Sequence, residues 1–190
     1  EGVKGSPFYL DSWSKATIFT NTDEQIPFAK VKYSAYEDEL IVMTASSGQF
    51  YIPKNNIDYF ILNETLTNIS MKFALLPHFK KQNESQFYRI LFEGKIMLLE
   101  FAKVVYEKAD FEGGYSNDKR YDEYKKYSHH YYLSAGQKQP LKLKSTANGI
   151  SKIFPNHSSE VKQFISKHQL DLKSQQDLVK IFEFYQNIEE

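Results

Sequence analysis

Phe87-Tyr88-Arg89-Ile90-Leu91-Phe92-Glu93-Gly94-Lys95-Ile96-Met97-Leu98-Leu99-Glu100-Phe101-Ala102 is the stretch on which the fold turns. Phe87 to Phe92 is rich in aromatic and branched aliphatic residues, as strands are. Glu93-Gly94-Lys95 then supplies a short turn, with a glycine able to take φ > 0. Ile96 to Tyr106 reads as the returning strand. The stretch therefore predicts a β-hairpin, and a chain built around such pairs.

The same rhythm extends in both directions. Ala29, Val31 and Tyr33 alternate with Lys30, Lys32 and Ser34, which places the first set on one face of a half-buried strand. Leu40 to Met43 is apolar at every position, as in a strand covered on both sides. Ser46-Ser47-Gly48 is a turn signal, and Gln49 to Ile52 completes a second hairpin. Ile57, Tyr59 and Ile61 alternate, as do Ile69, Met71, Phe73 and Leu75. Asp110 to Lys126 reads as a long polar loop containing Gly113-Gly114. His129 to Leu133 and Leu141 to Leu143 are the last expected strands.

After about residue 144 the period changes. Val161, Phe164, Ile165 and His168 follow helical spacing, and so do Leu178, Ile181, Phe182, Tyr185 and Ile188. Ser174-Gln175-Gln176-Asp177 resembles a capping box. Pro155 is expected to end a shorter helix through Ile150, Ile153 and Phe154. Strands first and helices last predict an α+β fold, not a parallel nucleotide-binding sheet. The expectation is a single domain over residues 1–190. Residues 1–144 form a curved antiparallel sheet, open or closed toward a barrel. Residues 145–190 form about three short helices packed on it.

Bulk properties narrow the function. The 190 residues are 41% hydrophobic and 16% aromatic, which is the composition of a folded domain. Lys plus Arg and Asp plus Glu both total 24, so the net charge is zero and nucleic acid is not the expected partner. No apolar run is long enough for a transmembrane helix. Cysteine is absent, which excludes disulfides, thiol catalysis and thiolate metal sites. The first residue is Glu1, which fits a removed signal peptide or a trimmed start.

Three stretches carry a resemblance. They are Gly5-Ser6-Pro7-Phe8-Tyr9-Leu10 through Trp13, Lys30 through Val42, and Ile150-Ser151-Lys152-Ile153-Phe154-Pro155 with the two amphipathic segments behind it. Together they resemble a family of uncharacterised exported cell-envelope proteins of the Bacteroidetes phylum. The resemblance implies an upstream signal peptide and a periplasmic or cell-surface location. It brings no catalytic residues.

No established catalytic signature is present: no G-x-S-x-G, P-loop, G-x-G-x-x-G or H-E-x-x-H. Ser-x-x-Lys occurs at Ser12–Lys15, Ser116–Lys119 and Ser159–Lys162 without its companion motifs. His129 and His130 are adjacent in an expected strand and so face opposite sides. One of them beside Asp118 or Asp122 is a weak metal pattern, and neither a metal nor a cofactor is expected. The acids Asp110, Glu112, Asp118, Asp122 and Glu123 match no calcium loop. Glu100, inside an apolar run, is a candidate acid with a raised pKa, or simply a partner of Arg89 across the hairpin. An enzyme is not the favoured reading.

The tyrosines are more informative. Half of the fourteen fall between Tyr106 and Tyr132. Tyrosine offers a large, rigid contact area with a polar tip, and sugars also stack on it. Tyr115, Tyr121, Tyr124, Tyr127, Tyr131 and Tyr132 are the candidate binding residues. The competing reading is that they pin a loop to its own sheet. The leading expectation is a non-enzymatic interaction module with a protein or glycan partner in the envelope. The alternatives are a carrier of a small apolar or carbohydrate ligand and, last, a hydrolase.

Overall fold

The computed structural model describes residues 2–79, 84–109 and 121–189. Eleven strands form one mostly antiparallel sheet. They are β1 (Lys4–Gly5), β2 (Ser14–Thr20), β3 (Gln25–Ser34), β4 (Glu39–Thr44), β5 (Gly48–Ile52), β6 (Ile57–Asn63), β7 (Ser70–Pro77), β8 (Ser85–Phe92), β9 (Ile96–Glu107), β10 (Glu123–Ser134) and β11 (Leu141–Lys142). Three helices follow: α1 (Ala147–Ser151), α2 (Ser158–Lys167) and α3 (Gln175–Glu189). The strand order is β1-β10-β9-β8-β7-β6-β2-β3-β4-β5, with β11 also on β10. The expected α+β class is what the chain adopts. The sheet does not close into a barrel, and β1 runs parallel to β10. No helix among the described residues is long and apolar enough to cross a membrane.

Two compact units make up the chain. The first draws its described residues from Glu1–Leu75, Gln86–Arg89 and Ala102–Ser128. Its core follows directly from strand alternation. Ser14, Ala16 and Ile18 of β2 are buried, as are Val31 and Tyr33, Leu40 and Val42, Phe60 and Leu62, and Met71 and Phe73. Leu40, Ile41 and Val42 are buried in succession, so β4 is covered on both faces as its unbroken apolar run predicts. Phe60 and Phe73 are direct cross-strand partners, and their rings stack 4.8 Å apart at 8°. Phe87 meets Phe60 edge-on at 4.9 Å, and Tyr33 meets Phe87 edge-on at 5.8 Å. These rings fill the interior of the unit.

Curvature shows in contacts between strands distant in the order. The Val104 amide of β9 donates to the carbonyl of Ala35, just beyond β3, at 3.0 Å. Tyr9 donates to the carbonyl of Tyr33 at 2.8 Å, and Tyr36 to that of Pro7 at 3.1 Å. The sheet of this unit therefore curls back on itself without a closing ladder. β2, which alternates Ala16 and Ile18 with Lys15 and Thr17, is absent from the expected strands. β10 also starts earlier than expected, at Glu123 inside the segment read as loop.

The second unit draws its described residues from Leu76–Ser85, Ile90–Phe101 and His129–Glu190. Leu178, Ile181, Phe182 and Tyr185 of α3, at helical spacing, are buried with Val161 and Ile165 of α2. Phe154 packs on both Phe182 (5.2 Å) and Tyr185 (4.3 Å). The short helix ends at Ser151, short of the expected Ile153 and Phe154, and Phe154, just before Pro155, lies outside the helical region at φ −115° and ψ 72°. Pro155 then opens a 3-10 turn through His157. The capping box forms by half. The Ser174 hydroxyl accepts from the Asp177 amide at 3.4 Å, but the Asp177 carboxylate accepts from the Asp171 amide and from Lys180. The hairpin turn corrects another expectation. Gly94 does not take positive φ; a Cβ there would lie 2.6 Å from the Phe92 ring and 2.8 Å from the Gln186 side chain. Space, not backbone conformation, favours glycine at this turn, since a Cβ would displace the Phe92 ring and the Gln186 side chain.

In the first unit, the β3–β4 turn depends on Asp38, which sits in the left-handed region at φ 61°. Its Oδ1 accepts from the Tyr33 hydroxyl (2.8 Å) and the Phe87 amide (3.3 Å), and its Oδ2 from Lys54 (2.7 Å). Burial still outweighs these partners and holds its carboxyl above the usual 3.8. The native chain thus keeps a proton where the unfolded chain has lost it. Asp38's contribution to stability therefore falls as pH rises above its unfolded pKa. Asp38→Ala is expected to cost roughly 2–4 kcal/mol in denaturant unfolding, because it orphans buried donors. Asp38→Asn keeps an acceptor and tolerance of positive φ, and should cost about 1 kcal/mol while removing this pH dependence. Equal costs for the two variants would show that the carboxylate charge, not the acceptor geometry, holds the turn.

Candidate functional site

Tyr115 lies outside the described residues, as do Asp110, Glu112, Gly113, Gly114, Asp118 and the Ser116–Lys119 pair. The other five candidate tyrosines divide between the two units. Tyr121, Tyr124 and Tyr127 belong to the first, and Tyr131 and Tyr132 to the second.

In the first unit, β10 sorts its side chains by parity. Tyr124 and Lys126 share one face. Tyr124 is half-buried against the core and touches the rings of Tyr36 (5.4 Å) and Tyr106 (5.1 Å). Lys126 donates to the Tyr9 carbonyl at 3.0 Å and covers its ring at 3.8 Å. Lys125 and Tyr127 occupy the opposite face. The Tyr127 hydroxyl donates to Glu107 at 2.9 Å, and Lys125 lies 5.6 Å from the Tyr127 ring centre. The Lys125 ammonium is held above its usual pKa by Tyr127 first and Glu107 second.

Asp122 organises the start of this strand. Its carboxylate accepts from the Tyr106 hydroxyl and from the Ala109 amide at 2.8 Å. The Tyr106 contact holds that phenol above its ordinary pKa. The Asp122 carbonyl accepts from the Lys4 amide at 2.9 Å. This bond and the β1 register set Lys4 beside Tyr121, with its ammonium 3.5 Å from the ring centre. Gly5 has φ 74°, and a Cβ there would overlap the Tyr124 carbonyl oxygen, so only glycine lets β1 approach so closely. Tyr121 and Tyr127 remain 37% and 38% exposed, and Tyr36 41%.

In the second unit Tyr131 is buried, with its ring 4.9 Å from Phe79 and 6.3 Å from Phe101. It packs the fold and presents no surface. Tyr132 is half-buried beside the helical core and lines an open concavity with Lys142, Lys144 and Lys152.

The candidate acid and the histidines fall as follows. Glu100 is buried in β9, and its charge acts on His130 of β10. Burial lowers the pKa of His130 while Glu100 opposes the shift. His129 is lowered by burial and then by Lys142. Arg89 donates to the Tyr9 hydroxyl at 3.0 Å. Among the described residues, no three His, Asp or Glu side chains converge as a metal site. The signal missed in the sequence is Lys4, the fourth residue, which becomes part of the tyrosine surface only through β1 pairing.

Burial pushes the Tyr131 phenol up to about 12. The native chain keeps this proton where the unfolded chain loses it at about 10, so stability falls as pH rises between those values. Stability curves from pH 9 to 12 should fall by about 2 kcal/mol less in Tyr131→Phe than in the parent. Parallel curves would mean that Tyr131 ionises like an exposed tyrosine.

No protein-family model, curated protein or solved structure matches this chain.

Proposed function

We propose that this chain is a non-enzymatic, exported envelope protein that holds a macromolecular partner, a protein or a glycan, on the tyrosine surface around β10. The observation that carries the reading is the Tyr121–Lys4 pair. A ring over a third exposed, with an ammonium 3.5 Å from its centre, is fixed in place by backbone bonds rather than by burial. A rigid aromatic face beside a cation suits the contacts that dominate macromolecular interfaces, where tyrosine and cations act as anchors. In the same unit Tyr36, Tyr124 and Tyr106 make successive ring contacts with one another. Side chains fill the interior of the first unit, which favours a ligand on the surface over one inside. The export assignment rests on the likeness of residues 5–13, 30–42 and 150–155 to exported envelope proteins.

The side-chain arrangement also selects the variants. Tyr124 supports the core, so its loss would confuse folding with binding. Tyr121 and Tyr127 are exposed, and their replacement should alter stability by no more than about 0.5 kcal/mol each. Immobilised parent protein should enrich a protein or glycan from an envelope extract of the source cells. Tyr121→Ala/Tyr127→Ala should retain it at least tenfold less, as expected for losing an anchor worth about 2 kcal/mol. Equal retention by a variant with unchanged melting, or no enrichment over an unrelated protein, would remove the proposal. Fractionation of the same cells tests location: recovery in the cytoplasmic fraction would overturn export.

A further inference from the structure

We infer that the second unit carries a binding site for a compact tetrahedral oxyanion, a phosphate or sulfate group, in the concavity formed by Tyr132, Lys142, Lys144, Asn148 and Lys152. The site follows from the chain outward. Leu141-Lys142-Leu143-Lys144 alternates, so burial of Leu143 turns Lys142 and Lys144 outward. β11 pairs with β10 through Tyr132↔Leu141 and Tyr131↔Lys142, and the Leu143 amide donates to the His130 carbonyl at 2.9 Å. Lys142 is thus carried on paired backbone.

The next turn fixes Lys144. Thr146 donates its amide to the Lys144 carbonyl at 2.7 Å, and its hydroxyl oxygen accepts from the Gly149 amide at 3.0 Å. At Gly149 a Cβ would lie 2.6 Å from the Lys144 Cβ and 2.7 Å from its carbonyl oxygen. Glycine is required here by the close approach of the Lys144 residue itself. Lys152, at the end of α1, completes a concavity of about 330 Å³.

The charge is one-sided. Among the described residues, three lysines line the concavity and no carboxylate does. Among the described residues, none of the three forms an ion pair or side-chain hydrogen bond. By contrast, Lys54, Lys95 and Lys180 each meet a carboxylate within 3.0 Å. The field is felt nearby: after burial, the Lys142 charge is the second cause lowering the His129 pKa. Asn148 and Tyr132, whose side chains carry neutral donors, are also among the lining residues. Lysine acts as a point charge without the planar fork of arginine, so three of them suit a near-spherical oxyanion rather than a single carboxylate.

The test is an amide NMR titration of the full chain at constant ionic strength, with inorganic phosphate, inorganic sulfate and glycerol 3-phosphate as probes and chloride as the control. Saturable shifts confined to residues 142–152 and Tyr132 are expected, with no saturation by chloride. Lys144→Ala/Lys152→Ala should weaken the apparent Kd at least tenfold with unchanged melting, since both side chains are exposed. Equal saturation by inorganic phosphate and by glycerol 3-phosphate assigns the site to the free anion. Tighter saturation by glycerol 3-phosphate assigns it to a phosphate ester. Shifts that grow linearly and spread over lysines elsewhere, or an unchanged Kd in the variant, would overturn the site.

Discussion

Phe60 lies flat on Phe73 across the β6–β7 pair, and this contact sets the register of the first unit. Strand side chains alternate with period two, so a slip of one residue between β6 and β7 would put Phe60 and Phe73 on opposite faces. Phe87 and Tyr33 close on the same rings from β8 and β3. Burying one such ring contributes on the order of 2–3 kcal/mol, and aromatic pairs add about 1 kcal/mol more. A mispaired sheet would forfeit several of these at once. That penalty specifies one register for strands whose outer faces are mostly polar.

The same cluster supports the surface above it. Tyr33 spends its ring on the core and its hydroxyl on Asp38, and Asp38 reaches back to the Phe87 amide. The end of β3 is thereby clamped, and just beyond it Ala35 accepts from Val104 of β9 while Tyr36 meets Tyr124 of β10. Tyr124 leans on the core, Tyr106 leans on Tyr124, and Asp122 binds the Tyr106 hydroxyl. Tyr121 directly precedes Asp122 in the chain and meets Lys4. A rigid support matters for binding, because a ring already held in place loses less freedom when a partner arrives.

Period alone made most of the fold legible. Hairpins at Leu40–Ile52 and Phe87–Tyr106, the strand through Met71 and Phe73, and the stripes of α2 and α3 repeat strongly enough to override local propensity. β2 was readable as well, since Ala16 and Ile18 alternate with Lys15 and Thr17, but it lacks a long apolar run. The start of β10 was not readable. Glu123, Lys125, Lys126 and Tyr127 have polar character because one face of that segment meets solvent, and polarity there mimics a loop. The division of the tyrosines was also hidden. Tyr131 is buried, Tyr124 is half-buried and Tyr127 is exposed, although all three look alike in the sequence. Parity along β10 separates Tyr124 from Tyr127, but Tyr127 and Tyr131 share a face and differ only in what covers their part of the strand. Asp38 gave no sign of its role, because its three partners come from positions 33, 54 and 87, which only folding brings together.

A net charge of zero describes the sum and conceals two different uses of lysine. Lys4 and Lys126 rest on tyrosine faces, where the ring quadrupole offsets part of the positive charge. Among the described residues, no group of opposite sign lines the concavity of Lys142, Lys144 and Lys152. Two ammonium groups about 8 Å apart in water repel by roughly 0.5 kcal/mol, and more where protein displaces solvent. Folding therefore gathers these three charges at a cost, and the Lys144–Gly149 approach prevents that cost from being relieved by drawing the backbone apart. An oxyanion entering the concavity would set three ammonium–anion attractions against the three ammonium–ammonium repulsions. The free lysines of the second unit thus gain more from an anion than paired lysines such as Lys54, whose charge Asp38 already meets.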